Sequence, residues 1–231
     1  TMKTIGLIGG MSWESTVTYY QLLNEAAKQR LGGLHSAKVL LYSVDFYEVE
    51  ALMSRGEWGK AADLLGGVAE RLERAGADFV LICTNTLHKV APEVQSRISV
   101  PLVHIAEAAA EELVSHGISR VGLLGTKYTM TQAFYRDKLT EQGLEVILPN
   151  EDDIELVNRV IFEELCLGIV KPESKAEYLR VITDMQRQGA EAVLLGCTEL
   201  GLIVSQEEVS LPLFDTTVIH ANKAADLALT E

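Results

Sequence analysis

The sequence has few of the residues on which several common functions depend. Its 231 residues include 20 Lys and Arg against 33 Asp and Glu, a net charge of −13, and no basic run stands out. Binding to nucleic acid depends largely on Lys and Arg that neutralise phosphates, so this composition disfavours a nucleic-acid partner. No unbroken apolar run of about 18 residues is present to span a bilayer. We therefore expect a soluble protein without a nucleic-acid or membrane partner.

Cysteine is scarce as well. The chain has three, Cys83, Cys166 and Cys197, with no CxxC pair and no Cys/His cluster at zinc spacing. An odd number of irregularly spaced thiols is typical of a reducing compartment, so we expect the cytoplasm. The opening segment, TMKTIGLIGG, also lacks the long apolar region of a secretory signal. We expect neither a disulfide framework nor a bound metal.

The glycines do not form a dinucleotide-binding fingerprint. In GLIGGMS, Gly6, Gly9 and Gly10 fail the GxGxxG spacing, and the comparable turn later in the chain reads GTKYT. A cradle for a small anion fits this turn better than a nicotinamide site does. The sequence therefore predicts no cofactor.

Short β-branched runs alternate with longer amphipathic stretches along the whole chain. Eight runs are strand candidates: TIGLIG, KVLLYSV, FVLIC, PLVHI, RVGLLG, LEVIL, AVLLG and PLFD. Each has about the length of a buried strand, and helix-like segments separate them. This alternation is typical of an α/β fold in which helices cover both faces of a parallel sheet.

The two halves of the chain resemble each other. RAGADFVLICTNTL in the first half aligns with RQGAEAVLLGCTEL in the second, and IGLIG aligns with VGLLG. The aligned starts are Arg74 with Arg187, Ile5 with Val121, and Pro101 with Pro212, at offsets of 113, 116 and 111. Three matching pairs in one order, at nearly one offset, predict an internal duplication.

This duplication predicts the domain organisation and the place of a binding site. We expect two similar α/β domains, residues 1–115 and 116–231, with the final helix crossing back to the first. Two such domains packed face to face would bring corresponding strand ends to a shared cleft, and parallel sheets bind ligands beyond those ends. Four polar turns qualify by position: residues 9–12, 84–86, 125–127 and 197–199. Free N–H groups at helix starts there would bind carboxylates.

Cys197 is the cysteine best placed for catalysis. It lies at a predicted strand-to-helix turn, where the positive end of a helix would lower its pKa and favour the thiolate. Because free cysteines usually act as small buried hydrophobes, context alone leaves both interpretations open. The repeat favours catalysis, since it sets Thr84 at the equivalent position. Cys166 fits a buried helical position, and strand alternation directs Cys83 to the opposite face.

Three histidines and two cations are candidates for supporting roles. His88, near the second turn, is interpreted as a satisfied surface residue more readily than as a catalytic one, and His104 and His220 as structural. Arg55 and Lys171 stand in loop-like segments with Gly or Pro. Each is either a solvated charge or a clamp for a carboxylate.

Four motifs give the chain a resemblance to a known family. GGMS (9–12), TNTLH (84–88), GTKYT (125–129) and GCTEL (196–200) resemble the aspartate/glutamate racemase superfamily, and specifically its aspartate racemase branch, over essentially the whole chain. GCTEL is the most specific, because the glutamate racemase branch typically has histidine where Glu199 stands. The resemblance implies two pseudo-twofold domains that face each other around the active site, a homodimer, and an isomerase that needs no pyridoxal phosphate.

The resemblance also implies roles for individual residues. Thr84 and Cys197 occupy the positions where the family usually has two cysteines acting as acid and base. The substrate-binding residues that it implies are Met11, Ser12, Arg55, Asn85, Thr86, Thr126, Thr129, Lys171 and Thr198. Of these, Arg55 and Lys171 would hold the side-chain carboxylate of a dicarboxylic amino acid.

Thr84 departs from the family pattern. A threonine hydroxyl is far less acidic than a thiol, whose reference pKa is about 8.5, so its deprotonated form is rarely available to act as a base. Thr84 can therefore donate or relay a proton more readily than it can take one. In the glutamate racemase branch the second-half thiol handles the L-enantiomer, which implies that L-substrates are deprotonated more readily here than D-substrates. Two alternatives stay open. One is a one-thiol decarboxylase or cis-trans isomerase of a small dicarboxylate, and the other is a catalytically degenerate amino-acid sensor.

Overall fold

The structure, a computed structural model, describes residues 1–230, and its contacts group the chain into two compact units. Among the described residues, unit 1 comprises residues 1–105 and 220–230, and unit 2 comprises Ala106–Ile219. The sequence predicts a division after residue 115, whereas the helix Ile105–Ser115 belongs to unit 2 from its second residue onward. Apolar periodicity predicts this helix but does not say which sheet it covers.

Unit 1 is built around a three-stranded parallel sheet. Its elements are β1 (Ile5–Gly9), α1 (Trp13–Leu31), β2 (Val39–Ser43), α2 (Phe46–Ser54), α3 (Trp58–Arg74), β3 (Phe79–Ile82), a 3-10 turn (Thr86–Val90) and α4 (Ala91–Gln95). The strand order is β2-β1-β3. The candidate run PLVHI is reduced to one parallel bridge, between Val80 and Leu102. Pro101, which has no N–H for a ladder, begins that run.

Unit 2 is built around a four-stranded parallel sheet with the order β5-β4-β6-β7. The remaining elements are α5 (Ile105–Ser115), β4 (Arg120–Leu124), α6 (Lys127–Thr131), α7 (Ala133–Thr140), β5 (Glu145–Ile147), α8 (Glu151–Glu163), α9 (Pro172–Arg187), β6 (Ala192–Leu195), β7 (Leu213–Asp215) and α10 (Thr216–Leu229), with 3-10 turns at Leu165–Leu167, Thr198–Leu202 and Gln206–Glu208. From His220 onward α10 belongs to unit 1. None of the helices in residues 1–230 is long and apolar enough to cross a bilayer.

The strand registers confirm the internal repeat. In unit 1, Ile5 pairs with Phe79, and Val80 pairs with Leu102. The equivalent pairs in unit 2 are Val121 with Ala192, and Val193 with Leu213. These pairs keep the offsets of 116, 113 and 111 that the sequence shows. Just beyond them, the N–H groups of Cys83 and Gly196 each donate to the neighbouring central strand, at 3.0 and 2.7 Å. Thr84 and Cys197, the next residues, are therefore equivalent positions.

Side chains of the unit 1 sheet alternate between two apolar cores. Ile8, Val80 and Ile82 face a cluster with α3 and α4, whereas Leu7 and Leu81 face a cluster with α1 and the C-terminal part of α10. Full burial of such a side chain contributes roughly 1.5–3 kcal/mol, so both faces fix the register of the sheet. β2 is half-buried to exposed because it is an edge strand.

Candidate active site

In unit 1 the first two polar turns lie side by side because they follow neighbouring parallel strands, β1 and β3. Gly10 has a φ of 91°, and a Cβ there would lie 2.4 Å from the Val44 carbonyl oxygen, so a side chain does not fit. Ser12 caps α1, its Oγ accepting from the Ser15 N–H at 3.5 Å. Met11 is 3% exposed within the core, so it offers a ligand its backbone atoms only.

The turn after β3 carries Thr84, which is half-buried. Its carbonyl oxygen accepts a hydrogen bond from His88 Nδ1 at 2.7 Å. Asn85 is buried, and half-buried Thr86 begins the 3-10 turn. Unit 1 therefore brings five predicted site residues to one edge of its sheet: Met11, Ser12, Thr84, Asn85 and Thr86.

His88 belongs to a buried cluster of three histidines. Its ring centroid lies 4.6 Å from that of His104 and 5.7 Å from that of His220, and all three residues are buried. The interpretation of His88 as a surface residue is wrong, because the 3-10 turn directs its side chain inward. His220 is structural, as expected. Its Nδ1 accepts from the Tyr19 hydroxyl at 2.6 Å, and its Nε2 donates to the Val103 carbonyl at 2.7 Å.

Mild acid is expected to destabilise the protein through this cluster. Burial lowers the pKa of His220 from 6.5 to about 4 and lowers the pKa of His88 well below 6.5. Between about pH 4 and pH 6.5, His220 binds a proton in the unfolded chain but not in the folded chain. The stabilising contribution is therefore complete above pH 6.5 and is lost as the pH falls toward 4. For His220 the loss between pH 7 and pH 5 is about 2 kcal/mol of unfolding free energy.

Urea unfolding at pH 7 and pH 5 measures this difference in a range where most carboxylates stay ionised. His220→Asn is expected to be less stable than the wild type at pH 7 and to show a weaker pH dependence. His35→Asn, which replaces an exposed histidine, is the matched control and is expected to keep the wild-type dependence. Equal pH dependence in the wild type and His220→Asn would contradict the assignment.

In unit 2 the third and fourth polar turns are also neighbours, since they follow the adjacent strands β4 and β6. Thr126 caps α6, its Oγ1 accepting from the Thr129 N–H at 3.4 Å, and Thr129 is fully buried. A Cβ on Gly196 would lie 3.1 Å from Thr129 Cγ2 and 3.0 Å from the Leu124 carbonyl oxygen. Glycine at this position therefore lets the turn after β6 pack closely against Thr129.

Cys197 is half-buried and hydrogen-bonded to Glu199. Its Sγ donates to Glu199 Oε2 at 2.8 Å, and the Thr198 hydroxyl donates to the same oxygen at 2.9 Å. Burial, and then the negative charge of Glu199, raise the pKa of the Cys197 thiol well above 9.0. The prediction of a lowered pKa is wrong, because a five-residue 3-10 turn follows in place of a long helix and a carboxylate contacts the thiol.

Glu199 is the functional candidate that sequence reasoning missed. In the sequence it serves only to distinguish two branches of a family, whereas in the structure its carboxylate contacts the sulfur atom. The signal in the sequence is a carboxylate two residues after a cysteine at a strand end, where a tight turn folds both side chains together. A group that accepts a proton from the thiol can generate the thiolate when a substrate is bound.

Glu199→Gln is expected to lower both the pKa of Cys197 and any activity that depends on its thiolate. Removing the negative charge removes one cause of the raised pKa. Removing the proton acceptor lowers activity by about 100-fold, a usual contribution for one acid or base. The pH dependence of alkylation by iodoacetamide, measured in a Cys166→Ser background, gives the pKa. An alkylation profile identical to that of the parent would contradict a working contact between Glu199 and the thiol.

The remaining predicted residues lie outside the four turns. The guanidinium of Arg55, at the end of α2, pairs with Glu57 at 3.0 Å, and Lys171 is exposed at the start of α9. Cys166 is exposed in a 3-10 turn, so the prediction of a buried helical position is wrong, because α8 ends before it. Cys83 is fully buried in the core beside α1, as alternation predicts, and burial raises the pKa of its thiol. Within residues 1–230, no group of three His, Cys, Asp or Glu side chains is arranged to hold a metal ion.

A model of the Asp/Glu/hydantoin racemase family matches residues 8–224. The chain belongs to this family. The chain is similar to the broad-specificity amino-acid racemase of Bacillus subtilis (strain 168). The two sequences are 25% identical over 97% of this chain and 98% of the relative. Two crystal structures are also similar, each over 99% of this chain and 100% of the other. They are a candidate Asp/Glu racemase from Yersinia pestis (53% identity, TM-score 0.97) and an aspartate racemase homologue from Pyrococcus horikoshii OT3 (40%, 0.88).

Proposed function

We propose that this racemase-family chain interconverts the enantiomers of aspartate and/or glutamate without a cofactor, with Cys197 and Thr84 as the acid/base pair. One observation carries the proposal: the Cys197 thiol contacts Glu199 at 2.8 Å, at the position that the repeat makes equivalent to Thr84. A thiol with a proton acceptor in one repeat, and a hydroxyl in the other, supply two different groups for proton transfer. The family, and the aspartate racemase homologue among the similar structures, support a dicarboxylic amino acid as substrate.

The chemistry explains why two groups are needed. Without pyridoxal phosphate the Cα proton of an amino acid is very weakly acidic, and its removal leaves a planar, carbanion-like state. One base cannot easily take a proton from one face and return one to the other, so a deprotonated and a protonated group are required. Oriented N–H and hydroxyl donors lower the barrier, because they meet the enolate charge that develops on the α-carboxylate.

For an L-substrate, we assign the role of base to Cys197. The thiol proton passes to the Glu199 carboxylate, and the resulting thiolate takes the Cα proton. The negative charge thus moves from Glu199 through the sulfur atom to the substrate enolate, while one proton ends on each of the two side chains. The Thr198 hydroxyl, which donates to the same carboxylate oxygen at 2.9 Å, holds Glu199 in this orientation.

Thr84 then delivers a proton to the opposite face of the carbanion-like state, which gives the D-product. Thr84 regains a proton from solvent, and Glu199 releases to solvent the proton that it took from the thiol. Removal of a proton from the D-substrate by Thr84 is harder, because Thr84 must first lose its own hydroxyl proton to solvent, and a hydroxyl is far less acidic than a thiol. Racemisation has an equilibrium constant of one, so kcat/KM is equal in both directions. The asymmetry therefore appears in kcat and KM separately, and in exchange of the Cα proton without inversion.

The substrate carboxylates need donors at the turns. We propose the backbone N–H of Met11 and the side chains of Ser12, Asn85, Thr86 and Thr126. Thr129 and Thr198 act one step further from the substrate, because Thr129 is fully buried and Thr198 donates to Glu199. The exposed side chains of Arg55 and Lys171 are the cations that we assign to the second carboxylate.

Chiral chromatography after incubation with each enantiomer of aspartate and glutamate tests this function. We expect an active substrate to approach equal amounts of both enantiomers without added pyridoxal phosphate. Release of CO2 or conversion of maleate, without inversion, would instead indicate the one-thiol decarboxylase or cis-trans isomerase. A rise in Tm with aspartate but no chemistry would indicate a sensor, since a ligand that binds only the native state stabilises it.

A further inference from the structure

The imidazole of His88 joins two backbone groups from different segments of unit 1. Its Nδ1 lies 2.7 Å from the Thr84 carbonyl oxygen, and its Nε2 lies 3.2 Å from the backbone nitrogen of Ile105. A carbonyl only accepts and an N–H only donates, so Nδ1 carries the proton and Nε2 accepts. The two contacts together admit one form of the ring, the neutral Nδ1–H tautomer.

Other buried side chains pack against this ring. His104 and His220 pack against it with ring centroids at 4.6 and 5.7 Å. His220 is fixed in turn by the Tyr19 hydroxyl at 2.6 Å and the Val103 carbonyl at 2.7 Å. A close-packed cluster whose polar atoms are hydrogen-bonded has little freedom to rotate. The cluster therefore contributes close packing, whereas the two hydrogen bonds of His88 itself set the orientation of its ring and of the Thr84 carbonyl.

Unit 2 has no such ring at the equivalent position. By the offset of 113, Gly201 is the residue equivalent to His88 in the repeat, and Gly201 is exposed. Cys197 is oriented instead by the contact of its own sulfur atom with Glu199 at 2.8 Å. The two residues of the proposed acid/base pair are thus held differently, one through its side chain and the other through its backbone.

We infer that His88 is a positioning residue for Thr84, the proposed proton donor. By holding the Thr84 carbonyl, the ring fixes the direction of the Cα–Cβ bond and hence the place of the hydroxyl. A proton donor must lie within hydrogen-bond reach of the carbon that it protonates, so a small displacement has a large effect on the rate. His88 acts without touching the substrate. The inference rests on the proposed function, because Thr84 has a chemical step to perform only in that reaction.

Three variants separate positioning from folding. His88→Leu removes both hydrogen bonds, whereas His88→Asn retains an amide that can donate to the Thr84 carbonyl. His220→Asn is the matched control, because it replaces an equally buried histidine of the same cluster whose hydrogen bonds go to Tyr19 and Val103. Each protein is incubated with L-aspartate in deuterium oxide. Proton NMR measures loss of the Cα proton, chiral chromatography measures D-aspartate, and thermal unfolding checks the fold.

We expect His88→Leu to lower D-aspartate formation by about 10- to 100-fold, while loss of the Cα proton, which needs Cys197, changes by no more than about 2-fold. His88→Asn is expected to restore much of the D-aspartate formation. His220→Asn is expected to lower stability and to keep the wild-type ratio of the two rates. Equal losses of both rates in His88→Leu, or the same selective loss in His220→Asn, would overturn the inference.

The wild-type reaction distinguishes this inference from the proposed function. If the wild type exchanges no Cα proton, the proposed function fails, and the role of Thr84 fails with it before any variant is compared. Nitrogen-15 NMR of the imidazole rings tests the contact independently of activity. We expect a proton on Nδ1 of His88, and a ring protonated on Nε2 instead would overturn the geometry on which the inference depends.

Discussion

Cys197→Ala is expected to lower the rate of Cα proton removal from L-aspartate by about a thousandfold or more. In the proposed mechanism the thiolate formed by transfer to Glu199, 2.8 Å from the sulfur atom, is the base for this face of the substrate. Alanine leaves the carboxylate in place and removes the atom that takes the proton. Proton NMR in deuterium oxide, which follows the loss of the Cα proton signal, measures the effect.

Cys166→Ala is the matched control. Its thiol is exposed in the 3-10 turn Leu165–Leu167 and has no part in the proposed chemistry, so we expect exchange at the wild-type rate. Rapid exchange in Cys197→Ala would transfer the role of base to another group. Glu199→Ala in the same background would then show whether the carboxylate takes the proton directly.

Thr84→Val is expected to separate exchange from inversion. Valine keeps the shape of threonine, and the residue 84 carbonyl can still accept from His88 Nδ1, so the turn is retained. Only the hydroxyl is lost. Formation of D-aspartate from L-aspartate should therefore fall by about 10²- to 10⁴-fold, whereas deuterium should still enter L-aspartate through Cys197. Chiral chromatography and proton NMR of the same samples measure the two rates.

Two further variants at this position act as controls. Thr84→Ser keeps the hydroxyl and is expected to retain most of the inversion. Thr84→Cys supplies a far stronger acid, whose thiolate is also a usable base, so it is expected to speed exchange from D-aspartate. A Thr84→Val protein that loses exchange and inversion by the same factor would contradict the division of labour between the two residues.

The equivalence of the two halves could be predicted from the sequence to the residue. The offsets of 113, 116 and 111 between matched segments reappear in the registers of both sheets, at pairs such as Ile5 with Phe79 and Val121 with Ala192. Strands buried on both faces tolerate no slip, because a shift by one residue would exchange the two sets of core side chains. The apolar pattern of the strands therefore allows the two halves to be aligned at the offset of 113. This alignment makes Thr84 and Cys197 equivalent.

The environments of Cys197 and His88 could not be predicted in the same way. Both depend on whether the chain beyond the strand forms a long helix or a short 3-10 turn, which local hydrogen bonds decide and apolar periodicity does not record. In a 3-10 turn Glu199 reaches the sulfur atom and His88 points into the core. The position of Cys166 differs for a similar reason, since α8 ends at Glu163 and a 3-10 turn follows.

The central claim is that Cys197 and Thr84 divide an amino-acid racemisation unequally between them. The wild-type protein tests it most directly in deuterium oxide with L- and D-aspartate and L- and D-glutamate. Loss of the Cα proton is compared with the appearance of the opposite enantiomer. We expect an active L-substrate to lose its Cα proton faster than the D-product appears, because Cys197 can return a deuteron to the face that it deprotonates. The matching D-substrate should lose its proton no faster than it converts to the L-form. Absence of Cα proton exchange from all four substrates would contradict the racemase assignment. If proton loss exceeded inversion by the same factor for both enantiomers, the unequal roles of Cys197 and Thr84 would be contradicted.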